Sequence, residues 1–237
     1  EHDRVQLEIG RRKALDRHYS SAHLFSSRVI CGECGGFFGR KVWHSTDTYK
    51  CYIWQCNEKY RQRQRCRTPH FQEEELKRRF VDAYNQRAEI KKETLAACHL
   101  GIKAICDLTD LDEQIRMVTD EISVLVEMSR QLIEENSRAV HDQDEYQRRH
   151  SALVEKYTDA DAHLKALQAE RSRRIDMRKS IEWFMESFSR QDGLLTEFDG
   201  SMFFSVCDVM TVYNDSKVVV RFRDGAEIET FPDSAKK

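Results

Sequence analysis

The chain has 237 residues, of which 34% are charged and 40% hydrophobic, with two prolines and a formal net charge of −2. This length holds one or two domains, and the composition is typical of a water-soluble, helix-rich protein. No apolar stretch reaches the length of a membrane span, and the first residues, EHDRVQLEIG, lack the apolar core of a signal peptide. We therefore predict a cytoplasmic protein with no membrane partner.

The near-zero net charge is the sum of two unlike regions. Between Arg40 and Arg67 there are eight basic and two acidic residues, a net of +6, whereas Leu108 to Ile175 holds 15 acidic and 10 basic residues. A polyanion meets a local patch rather than the whole-chain charge. The first region is therefore the candidate nucleic-acid contact.

The chain opens on an amphipathic pattern without an initiator methionine. The apolar residues Val5, Leu7 and Ile9 predict a helix from Glu1 to about Asp16, followed by a polar connector. We expect residues 1–27 to link the rest of the chain to something that precedes it, and the sequence to be a fragment of a longer protein.

Cysteines between Cys31 and Cys66 have the spacing of a zinc site. Cys31 and Cys34 form a CxxC knuckle flanked by glycines, and Cys56 and Cys66 supply two further thiols, with Cys51 and His70 as possible substitutes. A zinc ion prefers four such ligands in a tetrahedron, and four sulfurs leave no position open for catalytic water. Buried free thiols or disulfides are the alternative. We predict one structural Zn²⁺.

The segment between the two cysteine pairs predicts a β-hairpin. Val42 and Trp43 precede turn residues, and Tyr52, Ile53 and Trp54 follow them with strand-forming chemistry. A hairpin is narrow enough to enter the major groove, and basic side chains contact phosphate. The predicted DNA-contacting residues are Arg40, Lys41, Trp43, His44, Lys50, Arg61, Arg63, Arg65 and Arg67.

Helical patterns dominate the rest of the chain. Glu73 to Glu75 suit the start of a helix that continues to about Ile105. From Leu111 to Leu167 an apolar heptad predicts a coiled coil, and its unbroken phase fits either one long helix in a parallel dimer or an antiparallel hairpin. We favour a hairpin. Its predicted tip and interaction residues are Val140, His141, Asp142, Gln143, Asp144 and Tyr146.

The last residues predict a small α+β piece. It contains a short helix near Met202 and strands at Thr211 to Tyr213 and Val218 to Phe222. Because it is too small to bury a core alone, we expect it to pack back on the ribbon or the first helix. The predicted class is α+β, a small zinc-ribbon and β-hairpin domain with a long antiparallel coiled-coil insertion. Its parts are 1–27 (linker helix and connector), 28–107 (zinc ribbon domain with following helix), 108–180 (coiled-coil hairpin) and 181–237 (C-terminal helix and strands).

These motifs together resemble the C-terminal region of large serine recombinases, the serine integrases of phages and mobile elements. The resemblance is carried by LFSSRVICGECGGFFGRKVWHS, YIWQCN, CRTPHFQEEEL, the coiled coil, LLTEFD and VMTVYNDSKVVVRFRDGAEI. It implies zinc ligands at Cys31, Cys34, Cys56 and Cys66. Departures from the family pattern are Gln72 at a helix start, Ser216 in a turn that often has glycine, and His150 in the heptad seam.

The resemblance also implies a function. The ribbon is expected to bind the outer part of each attachment half-site in double-stranded DNA inside a bacterial host cell. The coiled coil is expected to contact other subunits of the same recombinase, and recombination directionality factors are expected to act on it. The catalytic serine domain precedes this region in the family, so the chain is expected not to be an enzyme by itself.

Two other classes of function compete with this interpretation. A zinc-stapled coiled-coil scaffold for protein–protein interaction would use the ribbon only as a folding element and would lack salt-sensitive DNA binding. A cysteine or histidine enzyme would have Cys51 with His44 or His70 as its candidate groups, but no motif pairs them.

Overall fold

The computed structural model describes residues 8–10, 23–46, 48–60, 66–138 and 142–232. The chain divides into two compact units, the first formed by 1–100 with 179–237 and the second by 101–178. The fold is mixed α+β and 59% helical, which confirms the predicted class of a zinc ribbon with a helical insertion. Of the predicted N-terminal helix, residues 8–10 are helical and the remainder lies outside the described residues.

The ribbon part of the first unit has four short strands. They are β1 (Val29–Cys31), β2 (Phe38–Trp43), β3 (Cys51–Cys56) and β4 (Phe71–Gln72). Strands β2 and β3 form the predicted antiparallel hairpin, and β4 pairs with the other edge of β3. The base of the hairpin is apolar and buried, with Phe38, Ile53 and Trp54 each at most 2% exposed. The sheet therefore anchors one end of the hairpin and leaves the other end free.

Two helices follow where the sequence predicts one. Helix α1 (Glu73–Glu89) starts with three glutamates, which complement the helix dipole, and α2 (Lys91–Ile105) begins after a non-helical Ile90 at φ −111° and ψ 38°. The buried side chains of α1 include Leu76, Phe80 and Tyr84, whereas those of α2 are Thr94 and Cys98. Ten residues separate Tyr84 from Thr94, which is not a whole number of 3.6-residue turns. The buried positions of α1 and α2 therefore do not follow one continuous helical face.

The C-terminal piece completes a second sheet. After the short helix α5 (Gly200–Val206), the strands β5 (Cys207–Val212), β6 (Val218–Phe222) and β7 (Glu227–Thr230) lie in the order β1-β5-β6-β7. Strand β5 begins four residues before the predicted start, and β7 was not predicted. Ser216 has φ +66°, the left-handed conformation for which glycine is the usual residue.

An aromatic cluster forms the centre of the first unit. The Phe203 ring lies 4.9 Å from that of Phe25, 5.0 Å from that of Phe80 and 5.5 Å from that of Phe198, centroid to centroid. Asp199 starts α5 by accepting hydrogen bonds from the next turn's backbone N–H groups. Residues before the ribbon, after it and near the C-terminus therefore share one core, and β1 pairs in parallel with β5.

The second unit consists of two antiparallel helices. They are α3 (Thr109–Arg138) and the first part of α4 (Gln143–Arg190). Val118 and Leu125 of α3 bury against Ala160 of α4. An ion pair between Asp112 and Arg171, 2.6 Å apart, joins the N-terminal part of α3 to α4. None of the described helices has both the length and the apolar character needed to cross a membrane.

Candidate zinc centre and nucleic-acid interface

Four cysteine thiols converge between the strand ends of the ribbon. Cys31 ends β1, Cys34 lies in the following turn, Cys56 ends β3 and Cys66 precedes β4. Their Sγ atoms all lie within 4.8 Å of one another, with 3.5 Å between Cys34 and Cys56 and 4.0 Å between Cys56 and Cys66. A tetrahedron of sulfurs about 2.3 Å from a zinc ion has edges of about 3.8 Å. The four thiols fit one structural zinc.

The surrounding backbone has the shape that such a site requires. The turn closes with the Gly35 N–H donating to the Cys31 carbonyl at 2.8 Å, and Gly35 itself has φ +68°. The Gly36 N–H donates to the Cys34 sulfur at 3.4 Å, and a Cβ on Gly36 would lie 3.2 Å from that sulfur. Buried Thr68 places its hydroxyl 3.4 Å from the Cys31 sulfur. Such donors stabilise thiolate ligands and orient them.

Zinc binding at this cluster requires the thiols to lose their protons. Burial, followed by contacts with neighbouring thiols, raises the pKa of Cys56 and raises that of Cys66 to about 12. Without a cation these thiols remain protonated at neutral pH. Zinc takes thiolates as ligands, so binding releases protons and weakens as the pH falls. Zinc binding weakens in the same direction when it is compared with the unfolded chain. The ordinary thiols of the unfolded chain are also protonated at pH 7 and must also lose their protons to bind zinc.

Neither of the substitute ligands belongs to the cluster. Cys51 starts β3 and Cys56 ends it, so about 17 Å of extended strand separates them. The His70 ring lies 4.2 Å from that of Trp43, and burial together with Lys59 lowers the pKa of His70. Within the described residues no hydrogen bond joins Cys51 to His44 or His70, so the structure gives no support to a cysteine–histidine catalytic pair.

The distal half of the hairpin exposes aromatic and basic side chains on both faces. Side chains alternate along a strand, so Arg40 and Tyr52 share one face while Lys41 and Trp43 share the other, as the register of β2 and β3 requires. The Arg40 guanidinium carbon lies 3.7 Å above the Tyr52 ring. Trp43 and Tyr52 are each about two-fifths exposed. His70 packs on Trp43 and Glu73 contacts Arg40, and the remaining surface of these side chains is open to solvent.

The remaining predicted DNA residues have different positions. His44 enters the hairpin turn with φ +53°, and the Lys50 Nζ lies 6.0 Å from the Tyr52 ring centroid. Arg67 is exposed, and its backbone N–H donates to the Glu33 carboxylate at 2.6 Å. Arg61, Arg63 and Arg65 lie outside the described residues. Contact of any of these residues with DNA stays a prediction.

Sequence reasoning missed a carboxylate that joins α1 to the hairpin. Glu73 is 3.1 Å from the His23 Nε2, 3.5 Å from the Arg40 Nε and 3.4 Å from the indole N–H of Trp54. Burial opposes its charge, but His23, Trp54 and Lys77 together hold the pKa of Glu73 below its usual value. The sequence signals a helix start at Glu73; the pairing with Arg40 depends on tertiary structure.

The predicted tip of the coiled coil lies at the junction of α3 and α4. Val140 and His141 are outside the described residues. Asp142 accepts a hydrogen bond from the Asp144 N–H at 2.9 Å, and the Gln143 amide contacts that of Asn136 at 3.4 Å. The Tyr146 ring stacks on the seam residue His150 at 5.8 Å.

The site defines a class of protein, a zinc ribbon whose metal has a structural role. Residues 24–85 match the family described as recombinase zinc beta ribbon domain, and this match confirms the resemblance seen in the motifs over that part of the chain. Comparison with curated proteins gives no match. A solved chain from "Crystal Structure of a LSR-DNA Complex" is 15% identical, with a TM-score of 0.33. The similarity covers 86% of this chain and 56% of that one.

Proposed function

We propose that the chain is the DNA-binding and synapsis-regulating C-terminal module of a site-specific serine integrase. Its ribbon binds the half-sites of attachment DNA, and its coiled coil binds other subunits of the same recombinase. The observation that carries this proposal is a recombinase zinc ribbon whose distal hairpin exposes basic and aromatic side chains on both faces.

The hairpin has the dimensions and chemistry for the major groove. That groove is about 12 Å wide and admits a two-stranded β-ribbon. Arg40 and Lys50 lie beside the partly exposed ring of Tyr52, and Lys41 shares a face of the hairpin with the partly exposed Trp43. Phosphate contacts by such cations give affinity and set the register, and contacts with base edges give specificity. A folding element alone has no need of an uncovered face of this kind.

Selection from a random pool of duplexes tests DNA binding. The zinc-loaded protein should enrich one sequence family, because a hairpin in the groove meets base edges. Protein with zinc removed should enrich none. Recovery of unrelated sequences at the frequency of the starting pool would contradict the proposal and favour the scaffold, in which zinc only staples the fold.

The coiled coil offers a surface for a second subunit. Outside the seam between its two arms, α3 carries exposed Met117, Val124 and Met128 at helical spacing, each about half exposed or more. Apolar rows of this kind on a two-helix unit pack readily against a matching row from another copy. This supports subunit contact as the role of the second unit, with directionality factors acting on the same surface.

Sedimentation of the protein on its selected duplex tests that contact. Two protein–duplex complexes should join, and the double substitution Met117→Glu with Val124→Glu should raise the dissociation constant for joining by about tenfold or more, since each charge removes one buried apolar side chain. Binding of one protein to one duplex should not change. Joining that persists in the double variant would contradict this use of α3.

In this proposal the chain itself does not cut or rejoin DNA. The chain binds and arranges DNA in the cytoplasm of a bacterial host, and strand cleavage and rejoining are supplied by the serine domain of the same recombinase. The four thiols fit zinc as a closed structural site, which gives no role in the cutting chemistry.

A further inference from the structure

The cations of the hairpin are held in two different ways. Arg40 is fixed by two neighbours, with its guanidinium carbon 3.7 Å above the Tyr52 ring and its Nε 3.5 Å from the Glu73 carboxylate. Lys50 lies farther from the same ring, with its Nζ 6.0 Å from the ring centroid. Lys41, on the opposite face, has an exposed side chain with no hydrogen bond or ion pair in the described structure.

The two neighbours of Arg40 are held in place by contacts of their own. Tyr52 lies in β3 between paired residues, with Val42 opposite it. Glu73 is fixed by the helix start and by contacts to His23 and the Trp54 indole. The guanidinium carbon lies over the aromatic face at 3.7 Å from the ring centroid, well within the range of a cation–π interaction. The group is therefore oriented before any ligand arrives.

Orientation matters because base reading and phosphate binding make different demands. A bidentate contact with the O6 and N7 atoms of guanine needs a planar pair of donors at a fixed angle, which arginine supplies and lysine does not. A phosphate binds the ammonium group of a flexible lysine side chain from many directions. Since Glu73 contacts Nε, the terminal Nη1 and Nη2 groups of Arg40 remain as the donors for a ligand.

We propose that Arg40 reads a guanine in the major groove, with Tyr52 and Glu73 as positioning residues, while Lys41 and Lys50 contact phosphate. This assignment rests on the proposed DNA-binding function and goes further, because it names the residue that determines specificity and the base that it selects.

The test uses the selected duplex and a panel of duplexes that each carry one changed base pair. Arg40→Lys keeps the charge, so it should reduce discrimination at one G·C position by about 5- to 150-fold and leave the preferences at other positions. Lys41→Ala should weaken binding to all duplexes by a similar factor. It should also reduce the slope of log K against log salt by the amount expected for about one phosphate contact.

Two further variants separate positioning from charge. Tyr52→Phe retains the ring and should keep discrimination at that G·C position, whereas Tyr52→Leu removes the aromatic face and should lose much of it. Melting curves of these variants and of Arg40→Lys should match the parent, because Arg40 is two-fifths exposed and Tyr52 lies outside the core.

The outcomes distinguish this inference from the function beneath it. If Arg40→Lys weakens every duplex equally, or if Tyr52→Leu leaves discrimination at the parent value, Arg40 is a phosphate contact or needs no positioning, and the assignment fails while DNA binding stands. If the parent protein enriches no sequence and shows no salt-dependent binding, the proposed function fails and the assignment fails with it.

Discussion

Replacing Cys56 with serine should abolish stoichiometric zinc binding and unfold the ribbon. Cys56 is one of the four clustered cysteines, with its sulfur 3.5 Å from that of Cys34 and 4.0 Å from that of Cys66. A structural zinc supplies about 10 to 16 kcal/mol of apparent binding free energy, which is comparable with the total stability of a domain. Because the serine hydroxyl does not ionise near neutral pH, the site loses its fourth ligand and most of that energy.

Zinc content per chain and amide protection over residues 23–72 measure this effect. The parent should carry one zinc, and its ribbon should lose protection when a strong chelator is added. Cys51→Ser is the matched control, because Cys51 lies on the same strand outside the cluster. It should keep one zinc and a protected ribbon. A Cys56→Ser protein with parental zinc affinity would show that the cluster is not the metal site.

Phe203→Ala should lower the free energy of unfolding of the first unit by about 3 to 5 kcal/mol. The Phe203 side chain is fully buried, and its ring contacts those of Phe25, Phe80 and Phe198. Removing it leaves a cavity where the connector, helix α1 and the C-terminal piece meet. A loss this large is expected only if these three segments share one core.

Denaturant unfolding of zinc-loaded protein measures the change. Phe231→Ala is the control, because Phe231 is 58% exposed and its loss should change stability by less than about 0.5 kcal/mol. Equal effects of the two substitutions would mean that the C-terminal piece folds apart from the ribbon. Such a result would contradict the shared aromatic core.

Local chemistry made the zinc cluster and the hairpin predictable. A CxxC knuckle beside glycines and a second cysteine pair point to one metal. Strand-forming residues on both sides of a turn that starts at His44 predict the hairpin. The sequence left Cys51 and His70 open as ligands, because spacing alone does not say how far a strand carries a side chain. The register of β2 and β3 removes that ambiguity by placing Cys51 opposite Trp43, at the far end of β3 from Cys56.

Features that depend on distant pairing were not predictable in the same way. The parallel pairing of β1 with β5 joins residues 181 positions apart, such as Val29 and Met210, and no local period encodes it. The break at Ile90 separates two helices whose buried positions do not follow one continuous face. The contact of Arg40 with Glu73 likewise depends on where α1 begins relative to the hairpin.

The heptad predicted a coiled coil but left its direction open. An unbroken phase fits one long helix as well as two antiparallel arms, since both place the same residues in the seam. The structure ends α3 at Arg138 and starts α4 at Gln143, and Val118 and Leu125 of α3 then share one buried cluster with Ala160 of α4. Asp142 supplies the start signal for the second arm through its bond to the Asp144 N–H.

The most direct test of the account is a salt titration of binding to the selected duplex, with parent and Cys56→Ser proteins side by side. Three described hairpin and knuckle cations in contact with phosphate give a slope of log K against log salt of about −2.7, so a fourfold rise in salt should weaken parent binding by about 40-fold. The Cys56→Ser protein should bind weakly at every salt concentration. Parental affinity in Cys56→Ser, or binding that ignores salt, would contradict a zinc-held hairpin as the DNA-binding element.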